Sequence, residues 1–381
     1  MDVKEFLNII GSEFYTGVPD SLLRPVCDYL IDTYGTSGKH IIAANEGNAV
    51  AIAAGYYMAT GKAAVVYMQN SGIGNTINPV ASLLSSDVYA IPCIFIVGWR
   101  GEPGIKDEPQ HLYQGKVTDR LLEDMDIAAY HLKKDTSYDE LCMQMSAFRT
   151  LLEKGKSVAF IVSKGALSYE NKTEYHNNST ITRESVIKLV TEASASDEDV
   201  IVSTTGKASR ELFEIREHNG QGHQKDFLTV GSMGHSSSIA LGIAVNRPER
   251  KVWCIDGDGA VIMHMGSMAV IGNVCPQNYV HIVINNSAHE SVGGMPTAAS
   301  TMNLCQIAMG CGYKEAYTAE TEKELRNCLM EAAKSNQLTF IEVKTAIGSR
   351  KDLGRPTTTP KENLKEFMEN MKNQICGHGS R

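Results

Sequence analysis

The feature that most constrains this chain is an alternation repeated along most of its length. Short, nearly all-apolar runs stand at residues 63–68, 92–97, 157–163, 200–203, 227–230, 251–255, 279–284 and 338–343. Between them lie Ala-rich or amphipathic stretches of helical length, such as 49–59, 208–218 and 322–333. A strand that is apolar on both faces must be covered on both faces, which is the condition of a parallel sheet between layers of helices. The pattern predicts an α/β chain of doubly wound parallel sheets.

A polar stretch at 169–185, YENKTEYHNNSTITRES, has almost no apolar periodicity and reads as a linker. It divides the chain into 1–168 and 186–381. The two parts resemble each other: residues 46–72 lie over 233–259 without a gap. Gly47 then meets Gly234, Ile52 meets Ile239, Ala53 meets Ala240, Gly55 meets Gly242, Val65 meets Val252 and Gly72 meets Gly259. Each copy reads as a turn, a small-residue helix, a strand and a Gly-containing loop at the strand's carboxyl end. Ligands of open α/β sheets bind at that end. Two domains of similar topology are expected, with a polar, patternless tail after Lys344.

Composition excludes several classes. The formal net charge is −8 and there is no basic tract, so the chain is not expected to bind nucleic acid. No run of 18 apolar residues marks a membrane span, and the start MDVKEFLNII lacks the flank and apolar core of a signal peptide. The nine cysteines are scattered and form no CxxC pair, which suits reduced thiols in a cytoplasm.

The segment from Lys251 carries the strongest chemical signal. One predicted strand ends at Ile255 and is followed by Gly257-Asp258-Gly259, and the next ends in Asn285-Asn286. An Asp carboxylate, an Asn amide oxygen and a backbone carbonyl are hard oxygen ligands suited to Mg²⁺, and the glycines let backbone N–H groups approach an anion. GDG alone is a common turn. The pair GDG and NN resembles the diphosphate-and-metal motif of thiamine-diphosphate enzymes.

That resemblance implies roles residue by residue. Asp258, Asn286 and the main-chain carbonyl of Ala288 would hold Mg²⁺, while Gly257, Gly259 and Ala260 line the diphosphate. The second half would be the diphosphate-binding domain and the first half the pyrimidine-binding domain. Glu46, in AANEGNAVAIAAG, would be the glutamate that hydrogen-bonds the cofactor's aminopyrimidine and supports its imino tautomer; burial favours the neutral acid. Gly231, Ser232 and Met233 resemble the turn under the pyrimidine, with Met233 as the apolar wedge. Thr205 and Gly206 would touch the diphosphate, and Asn70, Ser71 and Gly72 form the loop on the pyrimidine side.

The segments GVPDSLL, ANEGNAVAIAAGYYMATGK, MQNSGIGNTINPV, GWRGEPG, DEPQH, GKASRELFE and VGSMGHSSSIALG are similar to the phosphonopyruvate decarboxylases, with the sulfopyruvate decarboxylases as near relatives. This narrower resemblance implies thiamine-diphosphate-dependent loss of CO₂ from 3-phosphonopyruvate to give phosphonoacetaldehyde. It also implies no central third domain, and a homo-oligomer, at least a dimer, with the active sites at subunit interfaces. His111 and His289, each after a predicted strand end, are the proton-relay candidates, and Asp20 and Ser21 stand where relatives place a polar substrate contact. A phosphonate needs local cations in so acidic a chain, and the loop after the 92–97 strand supplies Arg100 and Lys106. The alternatives are a sulfopyruvate decarboxylase and an acetolactate-synthase-like carboligase. A nicotinamide-binding Rossmann protein is disfavoured because no GxGxxG follows a strand.

Overall fold

Both series of apolar strands form parallel sheets. The structure is a computed structural model of the chain and describes residues 1–373 apart from 197, 291 and 292; the last residues of the expected second domain, 374–381, lie outside the described residues. The chain divides into two units. The first spans Met1–Glu174 and takes in a short segment ending at Met295; the second runs Tyr175–Glu290 and resumes at Pro296.

In the first unit the strands are β1 (Tyr15–Gly17), β2 (His40–Ile42), β3 (Ala64–Gln69), β4 (Cys93–Gly98), β5 (Ala128–Leu132) and β6 (Val158–Val162). They pair in parallel in the order β2-β1-β3-β4-β6-β5. Its helices are α1 (Val3–Ile10), α2 (Arg24–Tyr34), α3 (Glu46–Thr60), α4 (Ile73–Pro79), α5 (Pro109–Asp124) and α6 (Tyr138–Leu152). Alternate residues of the buried strands feed opposite faces. Val66, Phe95 and Ile161 pack with Ala49, Val50 and Ala53 of α3, while Phe160 takes Phe6 of α1 and Phe148 of α6 edge to face.

The second unit has β7 (Val200–Ser203), β8 (Asp226–Leu228), β9 (Val252–Gly257), β10 (Tyr279–Asn285), β11 (Glu315–Ala319) and β12 (Thr339–Lys344). Its sheet runs β11-β12-β10-β9-β7-β8, again parallel. Helices α7 (Arg183–Ala193), α8 (Lys207–His218) and α13 (Glu322–Lys334) cover one face around Ile201, Trp253, Ile255 and Ile282. On the other, α9 (Ser236–Asn246), α11 (Gly266–Val274) and α12 (Leu304–Gly310) cover Val202, Cys254 and Val283. The short α10 (Asp258–Met263) starts where β9 ends.

Read from its β8 edge, the second sheet is β8-β7-β9-β10-β12-β11, the same permutation as the first. The overlaid segments are α3 with β3 and α9 with β9, so the weak sequence likeness marks equivalent places in two copies of one topology.

The sequence pattern passed over β1, β2, β5 and β11. The first two are three residues long, and the last two are only partly buried and so lack a continuous apolar run. The 227–230 run is shorter than expected, because β8 ends at Leu228 and Val230 is exposed. The polar tail is not structureless: it forms α14 (Pro360–Asn373), which lies against edge strand β8. Asn363 accepts from Leu228 N–H at 3.1 Å and donates to the Asp226 carbonyl at 2.9 Å, occupying backbone groups that a bare edge would leave open.

Candidate active site

In the second unit the expected residues gather at the carboxyl ends of four neighbouring strands. The turn after β7 meets the turn after β8: Gly231 N–H donates to the Thr205 hydroxyl at 2.8 Å. Thr204 N–H donates to the Ile255 carbonyl at 2.7 Å, which ties the same turn to β9. Gly206 has φ +89°, Gly231 +71° and Ser232 +48°. Left-handed backbone at a non-glycine residue is strained and concentrates at functional sites. A side chain at Gly206 or Gly257 would meet nothing within 4 Å, so open space borders both turns.

Asp258 begins α10, is buried, and accepts from Thr297 Oγ1 at 2.6 Å. Burial pushes its carboxyl up to about 6, because the charged form loses its water; the hydrogen bond from Thr297 and the charge of Lys344 offset this only in part. Asn286 follows β10; its Oδ1 accepts from Ala288 N–H at 3.0 Å and its Nδ2 donates to Glu290 at 2.9 Å. Ser287 between them has φ +57°, which turns the chain at the strand end. An Asp oxygen, an amide oxygen and a backbone carbonyl from the ends of adjacent strands suit a hard divalent cation, so the donor set fits Mg²⁺. The buried Ala260 and Gly259 follow Asp258. Beside them, the space of a Gly259 side chain is bordered by His289 (3.1 Å) and the Met233 methyl (3.5 Å). Burial pulls the His289 imidazole down to about 4, so at neutral pH it is an uncharged ring.

In the first unit the equivalent strand ends converge. Glu46 opens α3 after the Asn45 cap, is 5% exposed, and accepts from Asn75 Nδ2 at 2.7 Å. Gly72 in the loop after β3 abuts its carboxylate, leaving no room for a Cβ. Asn70 is buried and donates to the Arg100 carbonyl at 2.7 Å and to Thr118 at 3.0 Å, while exposed Ser71 donates to Gln69 at 2.6 Å.

The expected substrate contacts do not all face outward. Asp20 is fully buried, and accepts from Gln69 at 2.6 Å and from Leu22 and Leu23 N–H at 3.0 and 3.3 Å. Burial raises its pKa despite these donors. It joins the loop after β1 to β3. Arg100 grips Asp107 through Nε at 2.8 Å and Nη2 at 2.5 Å, and reaches Ser21 with Nη1 at 3.2 Å. Lys106 is exposed on the same loop. His111 is not at a strand end but in the first turn of α5, buried, with Nδ1 unpartnered; burial and the neighbouring Arg100 lower its pKa.

The profile of the thiamine pyrophosphate enzyme N-terminal TPP binding domain matches residues 3–122, and that of the C-terminal TPP binding domain matches 204–343. A phosphonopyruvate decarboxylase of Streptomyces viridochromogenes is 33% identical over 383 residues, covering 96% of this chain and 93% of its own. The chain belongs to the phosphonopyruvate decarboxylase family of thiamine pyrophosphate enzymes. A second family member, from Streptomyces hygroscopicus, is 32% identical over 389 residues, covering 97% of this chain and 92% of its own. The sulfopyruvate decarboxylase subunit beta of Methanocaldococcus jannaschii is 40% identical over 150 residues, covering 38% of this chain and 76% of its own.

Membership of the family bears out the α/β fold and the thiamine-diphosphate cofactor. No described helix is long and apolar enough to cross a membrane. Sequence reasoning did not reach Thr297 or Glu290, whose partners are set by the tertiary fold; of the two loop carboxylates it offered Arg100, Glu102 and Asp107, the structure pairs Asp107. Asn75 was within reach, since it belongs to the segment Asn70-Ser71-Gly72-Ile73-Gly74-Asn75, whose last three residues the structure folds into the first turn of α4.

Proposed function

We propose that this enzyme decarboxylates 3-phosphonopyruvate to phosphonoacetaldehyde and CO₂ with thiamine diphosphate and Mg²⁺, in the cytoplasm. The observation that carries the reading is the oxygen set of Asp258, Asn286 and Ala288 at the ends of β9 and β10, in a chain similar over nearly its whole length to phosphonopyruvate decarboxylases. Residues 1–168 act as the pyrimidine-binding domain and 186–381 as the diphosphate-binding domain, joined by 169–185, of which the last three residues, Arg183 to Ser185, already form the first turn of α7.

When bound, thiamine diphosphate supplies the electron sink that lets CO₂ leave a 2-oxo acid. Asp258, Asn286 and the Ala288 carbonyl hold Mg²⁺, and Gly257, Gly259, Ala260, Thr205 and Gly206 border the diphosphate. Glu46 holds a proton on its carboxyl for the pyrimidine nitrogen, oriented by Asn75. Met233 and the Gly231-Ser232 turn support the pyrimidine. His289 and His111 move protons at the substrate. Arg100, with Ser21 beside it and Lys106 on its loop, meets the phosphonate, and Asp20 holds that loop's base through Gln69.

A homo-oligomer with shared sites is part of this reading. Helices α3 and α9 carry apolar side chains all round, with Met58 and Val245 exposed. A helix apolar on every side is stable when buried, and a second copy would bury it.

The test is product analysis with phosphonopyruvate, sulfopyruvate and pyruvate offered separately. Phosphonoacetaldehyde formed at the highest kcat/KM supports the reading. Preference for sulfopyruvate favours the sulfonate alternative, to which the similarity with the sulfopyruvate decarboxylase subunit points. Condensed acetolactate-type products from pyruvate would favour the carboligase.

A further inference from the structure

A four-residue charge network, buried except for the half-buried Lys207, stands directly behind Asn286, and neither the motif nor the family reading gives it a role. Glu290 Oε2 accepts from Asn286 Nδ2 at 2.9 Å and from Arg183 Nη1 at 2.8 Å, and its Oε1 accepts from Lys207 Nζ at 2.8 Å. Arg183 in turn grips Glu211 with Nε and Nη2, both at 2.7 Å. The Glu290 side chain is 9% exposed, Arg183 9% and Glu211 1%. Arg183 opens α7, Lys207 opens α8 and Glu290 follows the turn after β10, so three elements converge on one carboxylate.

An asparagine amide has two similar ends, and a cation can use only the oxygen. Arg183 and Lys207 donate to the two Glu290 oxygens, so that carboxyl is an acceptor here and faces the NH₂ end. The Ala288 N–H, donating to Oδ1 at 3.0 Å, selects the same orientation from the other side. We propose that Glu290, held by Arg183 and Lys207, is a positioning residue that locks the Asn286 amide with its oxygen turned to the Mg²⁺ site. Groups that orient a ligand in this way commonly carry a large share of metal affinity. The inference rests on the reading of Asn286 as a metal ligand.

The test uses the full chain with thiamine diphosphate and titrates MgCl₂, reading the thermal shift and the calorimetric binding isotherm beside activity. Glu290→Gln keeps the size but can offer either end of its amide to Asn286. The half-saturating Mg²⁺ concentration should rise about 10- to 100-fold, with turnover at saturating Mg²⁺ changed far less. A swapped pair, Asn286→Asp with Glu290→Gln, reverses donor and acceptor and keeps the local charge. It should bind Mg²⁺ at least ten-fold more tightly than Asn286→Asp alone, in which two carboxylates face each other. An unchanged Mg²⁺ requirement in folded Glu290→Gln overturns the proposal. Should Glu290→Gln fail to fold, a swapped pair no better than Asn286→Asp overturns it instead. Asn286→Ala is read separately: unchanged Mg²⁺ affinity there refutes the metal reading itself.

Discussion

Gly72 and Glu46 are packed so that the glycine's missing side chain is the space the carboxylate occupies; a Cβ at Gly72 would overlap Oε1, Cδ and Cγ of Glu46. The loop after β3 thus presses on the first residue of α3, and Asn75, in the first turn of the α4 helix that follows, holds the carboxylate's other oxygen at 2.7 Å. Glu46 is placed from two directions by one short segment.

Gly72→Ala should therefore displace the Glu46 carboxylate while leaving the α/β fold intact. A misplacement on the ångström scale costs about a hundred-fold in turnover. Glu46→Gln, which keeps shape and loses the proton, should lower turnover by roughly two or more decades. Both variants should retain cofactor and slow the exchange of the cofactor's C2 proton with D₂O. Exchange at the parent rate in Glu46→Gln would remove this residue from the mechanism.

Asp258 contributes the one carboxylate of the proposed metal set, and its hydrogen bond from Thr297 is the contact that orients it. Asp258→Ala is expected to abolish activity and the thermal shift produced by Mg²⁺ with thiamine diphosphate. A chelator should inactivate the parent enzyme, and added Mg²⁺ should restore it. Parent-like activity of Asp258→Ala without added metal would refute the assignment.

Arg100 is committed on one edge to Asp107, leaving Nη1 on the Ser21 side to meet an anion. Arg100→Ala should raise KM for phosphonopyruvate by about one to two decades, the scale of a charge-assisted contact of roughly 1.5–3 kcal/mol. Turnover of pyruvate, which has no phosphonate, should barely change. Because the Arg100 carbonyl also holds Asn70, an equal loss on both substrates would assign Arg100 to loop support.

His40 gives an acid-stability prediction away from the site. Its Nδ1 pairs with the Gly35 carbonyl at 2.8 Å and its Nε2 with Tyr67 OH at 2.8 Å, and burial lowers its pKa below 6.5. Below that pH the unfolded chain takes up a proton that the folded chain resists. The neutral imidazole's contribution is then complete above about pH 6.5 and is lost as pH falls. His40→Gln should flatten the fall of the melting temperature between pH 7 and 5. A parallel curve for parent and variant would refute the linkage.

Much of this was legible in the sequence because it is local. Apolar runs of strand length declare parallel strands buried on both faces, and β7 matches its run residue for residue. The glycine turns and Asp258 stand at strand ends because chain direction puts them there, and Glu46 stands at a helix start behind its Asn45 cap. The same strand order in both sheets makes physical sense of a likeness that identity alone left faint. The side-chain partners were not legible. Asp20 stands where relatives place a polar substrate contact, and no local pattern told that Gln69 and two backbone N–H groups would hold it inside the fold. Thr297 reaches Asp258, and Arg183 and Glu290 find each other, across long spans of chain. Such pairings follow from which strands are neighbours and in what register. Those are properties of the stacked sheet and its helices, so no local pattern encodes them and only the tertiary structure decided them.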